Sequence, residues 1–363
     1  MRPAKNLIFW LACKTCSANP NLFSKVLDQL NIARAKNQPP STAKPPQPFI
    51  HVHSRWPDNW KSFFKEHLAD LPELTKKLKR GLDDESDQLV NKVLELHQNI
   101  LVTGEYQKDV KYSERLLFHP KDLLIRDEVS NAVNEAKTKY RLPIDKYEET
   151  VFFYRCGLYF LSERIDIESA FKHKIVVDGG GFIGDSALIL SELNCDRVIV
   201  FEPDPKNLES LQKALNDNNI QADKVAIERL GLGSVDKVER LIQNNSGSSF
   251  YNDKQWSSDL DTVDVPVTRL DSYTSDSEKA IGLIKLDIQG LELEAIQGAI
   301  ETIKRDRPVL AVSVYHTAKD FFGVKTLIDE QIGGYRFIIR KTNPFHPIHE
   351  LMLIGYPEEL QKP

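Results

Sequence analysis

The sequence feature that most restricts the fold is an alternation of segment types that begins after residue 172. Short runs rich in Val and Ile alternate there with amphipathic helical segments. Continuously apolar strands separated by helices are typical of a parallel sheet with helices on both faces. The predicted strands span 174–178, 197–201, 224–229, 283–287, 309–315, 335–340 and 350–355, and the predicted helices span 184–193, 205–216, 291–304 and 319–331.

The last two predicted strands are joined by a short connection, residues 341–349. A parallel crossover needs about a dozen residues or more, so this pair is predicted to be antiparallel. Residues 232–280 are a long insert before the fourth strand, and 263–270 within it form a further predicted strand that leads into Asp271. Residues 166–363 are therefore predicted to form a Rossmann-like α/β domain with a mostly parallel sheet and one antiparallel strand.

The part of the chain before this domain divides into three predicted segments. Residues 1–36 are a basic segment with a predicted helix over 21–34, and residues 37–48 are a linker stiffened by five prolines. Residues 49–165 have mainly helical periodicity; Trp60, Phe63, Phe64 and Leu68, for example, share one predicted helix face. We interpret this third segment as a module that recognises the acceptor, with a lid or a dimerisation surface as alternatives.

Composition and single motifs exclude several classes of protein. No apolar run approaches the ~20 residues that span a bilayer, and residues 7–13 are too short for a signal peptide. Four cysteines in 363 residues fit a reducing compartment, so the chain is predicted to be cytoplasmic. The pairs Cys13/Cys16 and His51/His53 lack further ligands at the spacing of a metal site, so no metal is predicted.

The first strand of the predicted sheet runs into a glycine-rich turn at the edge where ligands bind in open α/β sheets. Glycines have no Cβ, so the backbone can approach a ligand closely. The spacing of Gly179, Gly181 and Gly184 also fits the G-x-G-x-x-G pattern of dinucleotide-binding enzymes. An NAD-dependent oxidoreductase or a nucleotide-sugar enzyme is therefore an alternative at this point. The predicted cofactor loop consists of Asp178, Gly179, Gly180, Gly181, Gly184 and Asp185.

Two acidic residues indicate which nucleoside this loop binds. Asp178 stands directly before the glycines, where an anion would repel a pyrophosphate and suit the cationic amino group of a methionine tail. Glu202 ends the second strand, where a carboxylate can accept hydrogen bonds from both ribose hydroxyls. The alternative interpretations are a helix N-cap for Asp178 and a solvated strand end for Glu202.

The sequence resembles the FkbM family of methyltransferases over residues 176–190, 198–218, 267–273, 284–299, 307–321 and 349–357, in the order of the family. The resemblance implies a class I methyltransferase sheet, S-adenosylmethionine as cofactor, and methyl transfer to an oxygen of a sugar or secondary metabolite. Asp178, Gly180 and Gly184 match the family's cofactor loop, Glu202 matches its ribose acceptor, and Asp287 matches its aspartate after the fourth strand. Gln289 stands where the family commonly has glutamate, so that position receives no acid–base or metal role.

A hydroxyl acceptor needs a group that takes up its proton. The candidate catalytic residues are His316, just past the fifth strand, and Asp287. Histidine suits this role because its reference pKa, about 6.5, lies near working pH; a capping or hydrogen-bonding histidine is the alternative. His349 and Glu350 open the last strand and are predicted to line the same mouth, and Glu292 falls in the first turn of the next helix, where the dipole favours an acid.

The predicted partner is a small-molecule or glycan acceptor rather than a nucleic acid. Because Gln289 departs from the family and residues 1–150 match no pattern that we recognise, a non-catalytic nucleoside-binding protein is a further alternative. The sequence makes no prediction about the oligomeric state.

Overall fold

The computed structural model describes residues 55–103, 124–243, 248, 261–345 and 349–362. The basic segment 1–36, the proline-rich linker 37–48 and the pairs Cys13/Cys16 and His51/His53 lie outside these residues. Cys156 and Cys195 are free thiols. The domain boundaries and the cytoplasmic location stay predictions.

The central element is a seven-stranded sheet in the order β3-β2-β1-β7-β8-β10-β9. Strand β10 runs antiparallel to both β8 and β9, whereas the other neighbouring strands are parallel. The mostly parallel sheet with one antiparallel strand is therefore confirmed. Its strands are β1 (Ile175–Gly179), β2 (Arg197–Phe201), β3 (Val225–Glu228), β7 (Ile281–Leu286), β8 (Val309–Ser313), β9 (Tyr335–Lys341) and β10 (Leu351–Pro357).

The insert before β7 forms a second, three-stranded sheet in the order β4-β6-β5. Its strands are β4 (Gly231–Leu232), β5 (Lys237–Ile242) and β6 (Thr262–Thr268). Strand β6 confirms the strand predicted over 263–270, and it leads into Asp271 as expected. Asp271 accepts hydrogen bonds from the backbone N–H groups of Glu301 and Thr302, so the insert is tied to a helix that follows the fourth strand of the main sheet.

Helices cover both faces of the main sheet because each face carries an apolar cluster. In chain order the helices are α1 (Arg55–Glu66), α2 (Leu71–Lys79), α3 (Asp84–Thr103), α4 (Arg126–Lys139), α5 (Glu149–Phe152), α6 (Ile167–Phe171), α7 (Asp185–Ser191), α8 (Pro205–Asp217), α9 (Leu270–Tyr273), α10 (Glu292–Gln297), α11 (Ile300–Asp306) and α12 (Ala318–Gln331). A 3₁₀ segment, Arg155–Leu161, precedes α6.

The single helix predicted over 291–304 is wrong, because the structure breaks it into α10 and α11 at Gly298 and Ala299. A Cβ on Gly298 would lie 2.0 Å from the carbonyl oxygen of Gly233, so the helix surface must stay open there for the insert. The backbone N–H of Asp271 also donates to the Gly298 carbonyl. The break comes from a tertiary contact that helical periodicity does not contain.

The helices before the sheet share its core instead of forming a separate one. Trp60 and Phe64 of α1 are buried in the same cluster as strand residues of β7 and β8, and Trp60 stacks on His97 with ring centroids 3.8 Å apart. Arg340 of β9 forms an ion pair of 2.6 Å with Asp83, just before α3. The predicted packing of Leu68 is wrong: α1 ends at Glu66, and Leu68 is 70% exposed in the turn that follows. Among the described residues, no helix is long and apolar enough to cross a membrane.

Candidate active site

The glycine loop after β1 has a backbone path that side chains would block. Gly180 has φ +84°, and a Cβ there would lie 2.0 Å from the carbonyl oxygen of Asp287. A Cβ on Gly181 would lie 2.3 Å from Val200 Cγ1 on the next strand. Gly184 has φ +91° and faces Leu211 of α8 at 3.0 Å. The loop is therefore packed tightly against β2, α8 and the tip of β7, as a cofactor cradle requires.

Asp178 is a buried residue whose charge is neutralised inside the protein. Its Oδ1 lies 2.8 Å from Lys285 Nζ, and its Oδ2 accepts a 2.7 Å hydrogen bond from Ser186. Lys285 also donates to the carbonyl oxygens of Gly180, at 2.9 Å, and Gly179, at 3.3 Å. The sequence predicts that Asp178 is an anion facing the cofactor, whereas in the structure its carboxylate pairs with Lys285, which also holds the loop carbonyls.

Glu202 lies at the tip of β2, beside the same loop, and is almost fully buried. Its Oε2 accepts from the backbone N–H of Phe182 at 2.8 Å, and its Oε1 accepts from the N–H of Asp204 at 2.9 Å and from the Asn207 amide at 3.3 Å. Burial raises the pKa of Glu202 to about 7, although these donors oppose the shift. The carboxylate thus fixes the glycine loop at the edge where the sequence predicts a ribose, and a carboxylate has capacity for further donors.

Asp185 begins α7 directly after the glycine loop and is buried. Burial, and next the nearby charge of Glu148, raise its pKa to about 7. Glu148 comes from the loop before α5 and forms a 2.8 Å ion pair with Lys146. Lys146 Nζ in turn lies 4.8 Å from the ring centroid of Phe182. A segment from before the sheet therefore covers the predicted cofactor loop.

Asp287, Glu292 and His316 meet at the tips of β7 and β8. Asp287 is fixed to the cofactor loop, because its backbone N–H donates to the Gly179 carbonyl at 3.0 Å. His316 has no exposed surface; its Nδ1 lies 3.0 Å from Glu292 Oε1 and its Nε2 lies 3.5 Å from Asp287 Oδ1. Burial lowers the pKa of His316, but the two carboxylates outweigh burial and raise it to about 9. The two predicted catalytic residues are thus side by side next to the predicted cofactor loop.

A second pair of polar side chains lies close to this group. Glu350 accepts hydrogen bonds from Thr150 Oγ1 at 2.8 Å and from the Tyr315 hydroxyl at 3.1 Å. Burial, and next the charges of Glu148 and Asp287, raise the pKa of Glu350 to about 8. His349 also lies here, with its ring centroid 5.6 Å from that of Tyr315. The structure therefore brings Glu350 and His349 to the mouth that the sequence predicted.

The side chains of Asp287, Glu292 and His316 are of the types that ligate metals. One ligand atom from each lies within 4.8 Å of the other two. Their hydrogen bonds give a second interpretation that needs no ion, because Glu292 holds the histidine ring directly. The sequence predicted no metal.

Several residues of the site were not predicted from the sequence. The sequence contains a clue to Lys285, because a lysine inside the otherwise apolar strand Ile281–Leu286 is unusual unless it pairs with an acidic residue. Lys146, Glu148 and Thr150 had none, since they lie in an ordinary polar segment far from the glycine loop in the chain. Only the packing of that segment on the sheet reveals them.

Comparisons with known proteins agree with this fold. Residues 178–350 match the profile of the methyltransferase FkbM domain. The structure is similar to methyltransferase FkbM from Methylobacillus flagellatus KT (22% identity, TM-score 0.52); the match covers 83% of this chain and 62% of the length of that protein. No curated protein sequence matches the chain.

Weaker similarities extend to other methyltransferases. An rRNA methylase from Streptococcus thermophilus has 16% identity and a TM-score of 0.33, with 55% of this chain and 93% of that one covered. Fibrillarin from Aeropyrum pernix, solved with natively bound S-adenosyl-L-methionine, has 13% identity and a TM-score of 0.33, with 55% and 74% covered. The glycine spacing alone left NAD as an alternative, and the domain match decides against it. With the sheet order, that match confirms the predicted resemblance: residues 178–350 resemble the FkbM domain of S-adenosylmethionine-dependent methyltransferases.

Proposed function

We propose that this protein methylates a hydroxyl oxygen of a small-molecule or glycan acceptor, such as a sugar or a secondary metabolite. The observation that carries the proposal is the position of His316. Its buried ring lies beside Asp287, whose backbone is hydrogen-bonded to the cofactor loop. A group that can take up a proton is thus next to the place where the methyl donor binds.

The residues present fit S-adenosylmethionine. The cradle at Gly180 and Gly181 admits no Cβ, and Glu202 offers a carboxylate at the neighbouring strand tip. When bound, this cofactor supplies an electrophilic methyl group on a sulfonium. We propose that the loop backbone and Glu202 hold the nucleoside, while Asp178 acts on the loop through Lys285.

In the proposed reaction, His316 Nε2 takes the proton of the acceptor hydroxyl and Glu292 stabilises the resulting imidazolium. A pKa of about 9 means that His316 is mostly protonated at neutral pH before a cation binds. A bound cationic cofactor lowers this pKa, because a like charge disfavours the protonated ring. Cofactor binding thus favours the neutral imidazole that can act as a base.

The charges around the site bear on the acceptor. Glu148 acts electrostatically on both Asp185 and Glu350, and Asp287 also acts on Glu350. The nearby cations are already paired, Lys146 with Glu148 and Lys285 with Asp178. A polyanionic nucleic acid is disfavoured there because protein contacts to phosphates require positive charge. A mouth that is rich in carboxyl groups and whose cations are already paired therefore supports a small acceptor without phosphates.

Glu202→Ala tests how the nucleoside is held. Hydrogen bonds to a charged group contribute about 1.5–3 kcal/mol, so we expect S-adenosylhomocysteine to bind about tenfold to a hundredfold more weakly. Isothermal titration calorimetry measures the loss. Glu209→Ala, an exposed residue of α8, is the control and should bind as the wild type does. Equal affinity of the Glu202 variant and the wild type would refute the assigned role.

His316→Asn tests the proton-transfer step. We expect turnover to fall by about a hundredfold to ten-thousandfold, the usual contribution of a general base, while S-adenosylhomocysteine affinity stays close to wild type. Turnover is measured as methyl transfer from labelled S-adenosylmethionine to a panel of sugars and hydroxylated metabolites. The control is His173→Asn, because the His173 side chain is 78% exposed and outside the site. Full activity of His316→Asn on an accepted hydroxyl substrate would contradict the proposal.

A further inference from the structure

Glu292 has a conformation that differs from that of an ordinary acid at a helix start. It is completely buried at the beginning of α10, and its carboxylate turns back onto the preceding loop. Oε1 accepts from the backbone N–H of Ile288 at 2.8 Å, and Oε2 accepts from that of Gly290 at 3.0 Å. Oε1 also lies 3.0 Å from His316 Nδ1. One carboxylate thus links the loop after β7 to the histidine after β8.

We propose that Glu292 is a positioning residue that holds His316 as the Nδ1–H tautomer with Nε2 on the side of Asp287. This inference rests on the proposed function for the catalytic part of His316. The tautomer of the His316 ring, however, does not depend on whether the acceptor is a hydroxyl. The sequence offered only a helix-dipole interpretation for Glu292, and a helix of six residues provides little dipole.

The geometry gives each ring nitrogen a distinct surrounding. A carboxylate accepts hydrogen bonds only, so Nδ1 must carry a proton to bond with Glu292. In the neutral ring the proton is then on Nδ1, and Nε2, 3.5 Å from Asp287 Oδ1, is the basic atom. The same logic orients histidines in catalytic triads, where an acid fixes the tautomer without accepting the proton itself.

Other charged groups face His316 and must be separated from the effect of Glu292. Asp287 lies at Nε2, and the Tyr315 ring packs against the imidazole with centroids 4.0 Å apart. Asp320 of α12 contributes charge but is engaged by the Leu293 N–H and by Thr317. Glu350 is held by Thr150 and Tyr315. Glu292→Gln leaves the charges of all these groups unchanged, so the titration of this variant reports the loss of the Glu292 charge.

The test is ¹⁵N NMR of the full chain labelled in histidine side chains, with His316→Asn used to assign the resonance. We expect the wild type to show His316 as the Nδ1–H tautomer when neutral. Glu292→Gln keeps an oxygen acceptor but removes the charge, so the tautomer should persist while the pKa falls by about one unit or more, a tenfold loss of proton affinity. Glu294→Gln, on the same helix but partly exposed, is the control and should leave the titration unchanged.

A second measurement follows the pH dependence of turnover. Because His316 must be neutral to accept a proton, lowering its pKa moves the acidic limb of the kcat/KM profile of Glu292→Gln to lower pH. A merely structural role would reduce stability or overall activity without moving that limb. In the NMR experiment, Glu292→Met removes the hydrogen-bond acceptor altogether, so His316 should populate the Nε2–H tautomer.

The outcomes separate this inference from the proposed function. An unchanged His316 titration in Glu292→Gln overturns the positioning role, even if turnover falls. A shifted titration together with no methyl transfer to any hydroxyl supports the positioning role and counts against the hydroxyl acceptor. The NMR measurement needs neither cofactor nor acceptor. Glu292→Gln, which changes the side chain least, therefore decides whether Glu292 positions the His316 ring.

Discussion

Gly180→Ala is expected to weaken S-adenosylhomocysteine binding by about a hundredfold or more. The new Cβ would lie 2.0 Å from the backbone oxygen of Asp287, which cannot move as a flexible side-chain tip would. The φ of +84° adds strain of about 1–3 kcal/mol for a residue with a side chain, and each 1.4 kcal/mol is a factor of ten in affinity. Calorimetric titration of the purified variant measures the change.

Gly81→Ala is a matched control for this substitution. Gly81 has a similar φ of +76° but has nothing within 4 Å of its Cβ position, so it tests backbone strain without the clash. We expect Gly81→Ala to lose some stability and to keep cofactor affinity. If Gly180→Ala bound the nucleoside as tightly as Gly81→Ala does, the loop would not be the cradle described above.

Lys285→Met is expected to lower the free energy of unfolding by about 3–5 kcal/mol, because it leaves the charge of Asp178 buried without its partner. Asp178→Asn leaves Lys285 in the converse situation and should cost a similar amount. The double variant removes both charges, and replacing a buried pair with neutral groups costs much less than breaking it. Urea unfolding of the two single variants and the double variant forms a double-mutant cycle.

The sign of the coupling in that cycle decides the interpretation. A double variant markedly more stable than the sum of the single losses predicts would confirm that the two charges neutralise each other. Strictly additive losses would contradict the ion pair of 2.8 Å between Lys285 Nζ and Asp178 Oδ1. Ser186→Ala should lower the free energy of unfolding by less, since it removes the hydrogen bond to Asp178 Oδ2 and no charge.

The sheet could be predicted from the sequence because its strands are buried on both faces. Such strands appear as continuous apolar runs, and the predicted bounds of 197–201 coincide with β2. The short connection after β9 likewise determined the antiparallel strand. The break at Gly298 was missed, since it depends on the Gly233 carbonyl of the insert, a contact between residues distant in the chain.

The site residues could be predicted only where polar side chains directly follow the strands of the sheet. Glu202, Asp287 and His316 follow β2, β7 and β8, and parallel strands bring their carboxyl ends together. The groups that raise the pKa values of His316 and Glu350 come from elsewhere: Glu292, in the next helix, acts on His316, and Glu148, before the sheet, acts on Glu350. Electrostatic environment depends on three-dimensional packing, which a linear pattern does not encode.

The hydrogen bonds of Glu350 join the two halves of the chain. Thr150, from before the sheet, and Tyr315, from within it, each hold one oxygen of the same carboxylate. A truncated protein that begins at residue 166 would keep the glycine loop but leave Glu350 without its hydrogen bond from Thr150. A chimera that takes its first half from a relative would therefore have to rebuild the contact at Glu350 as well.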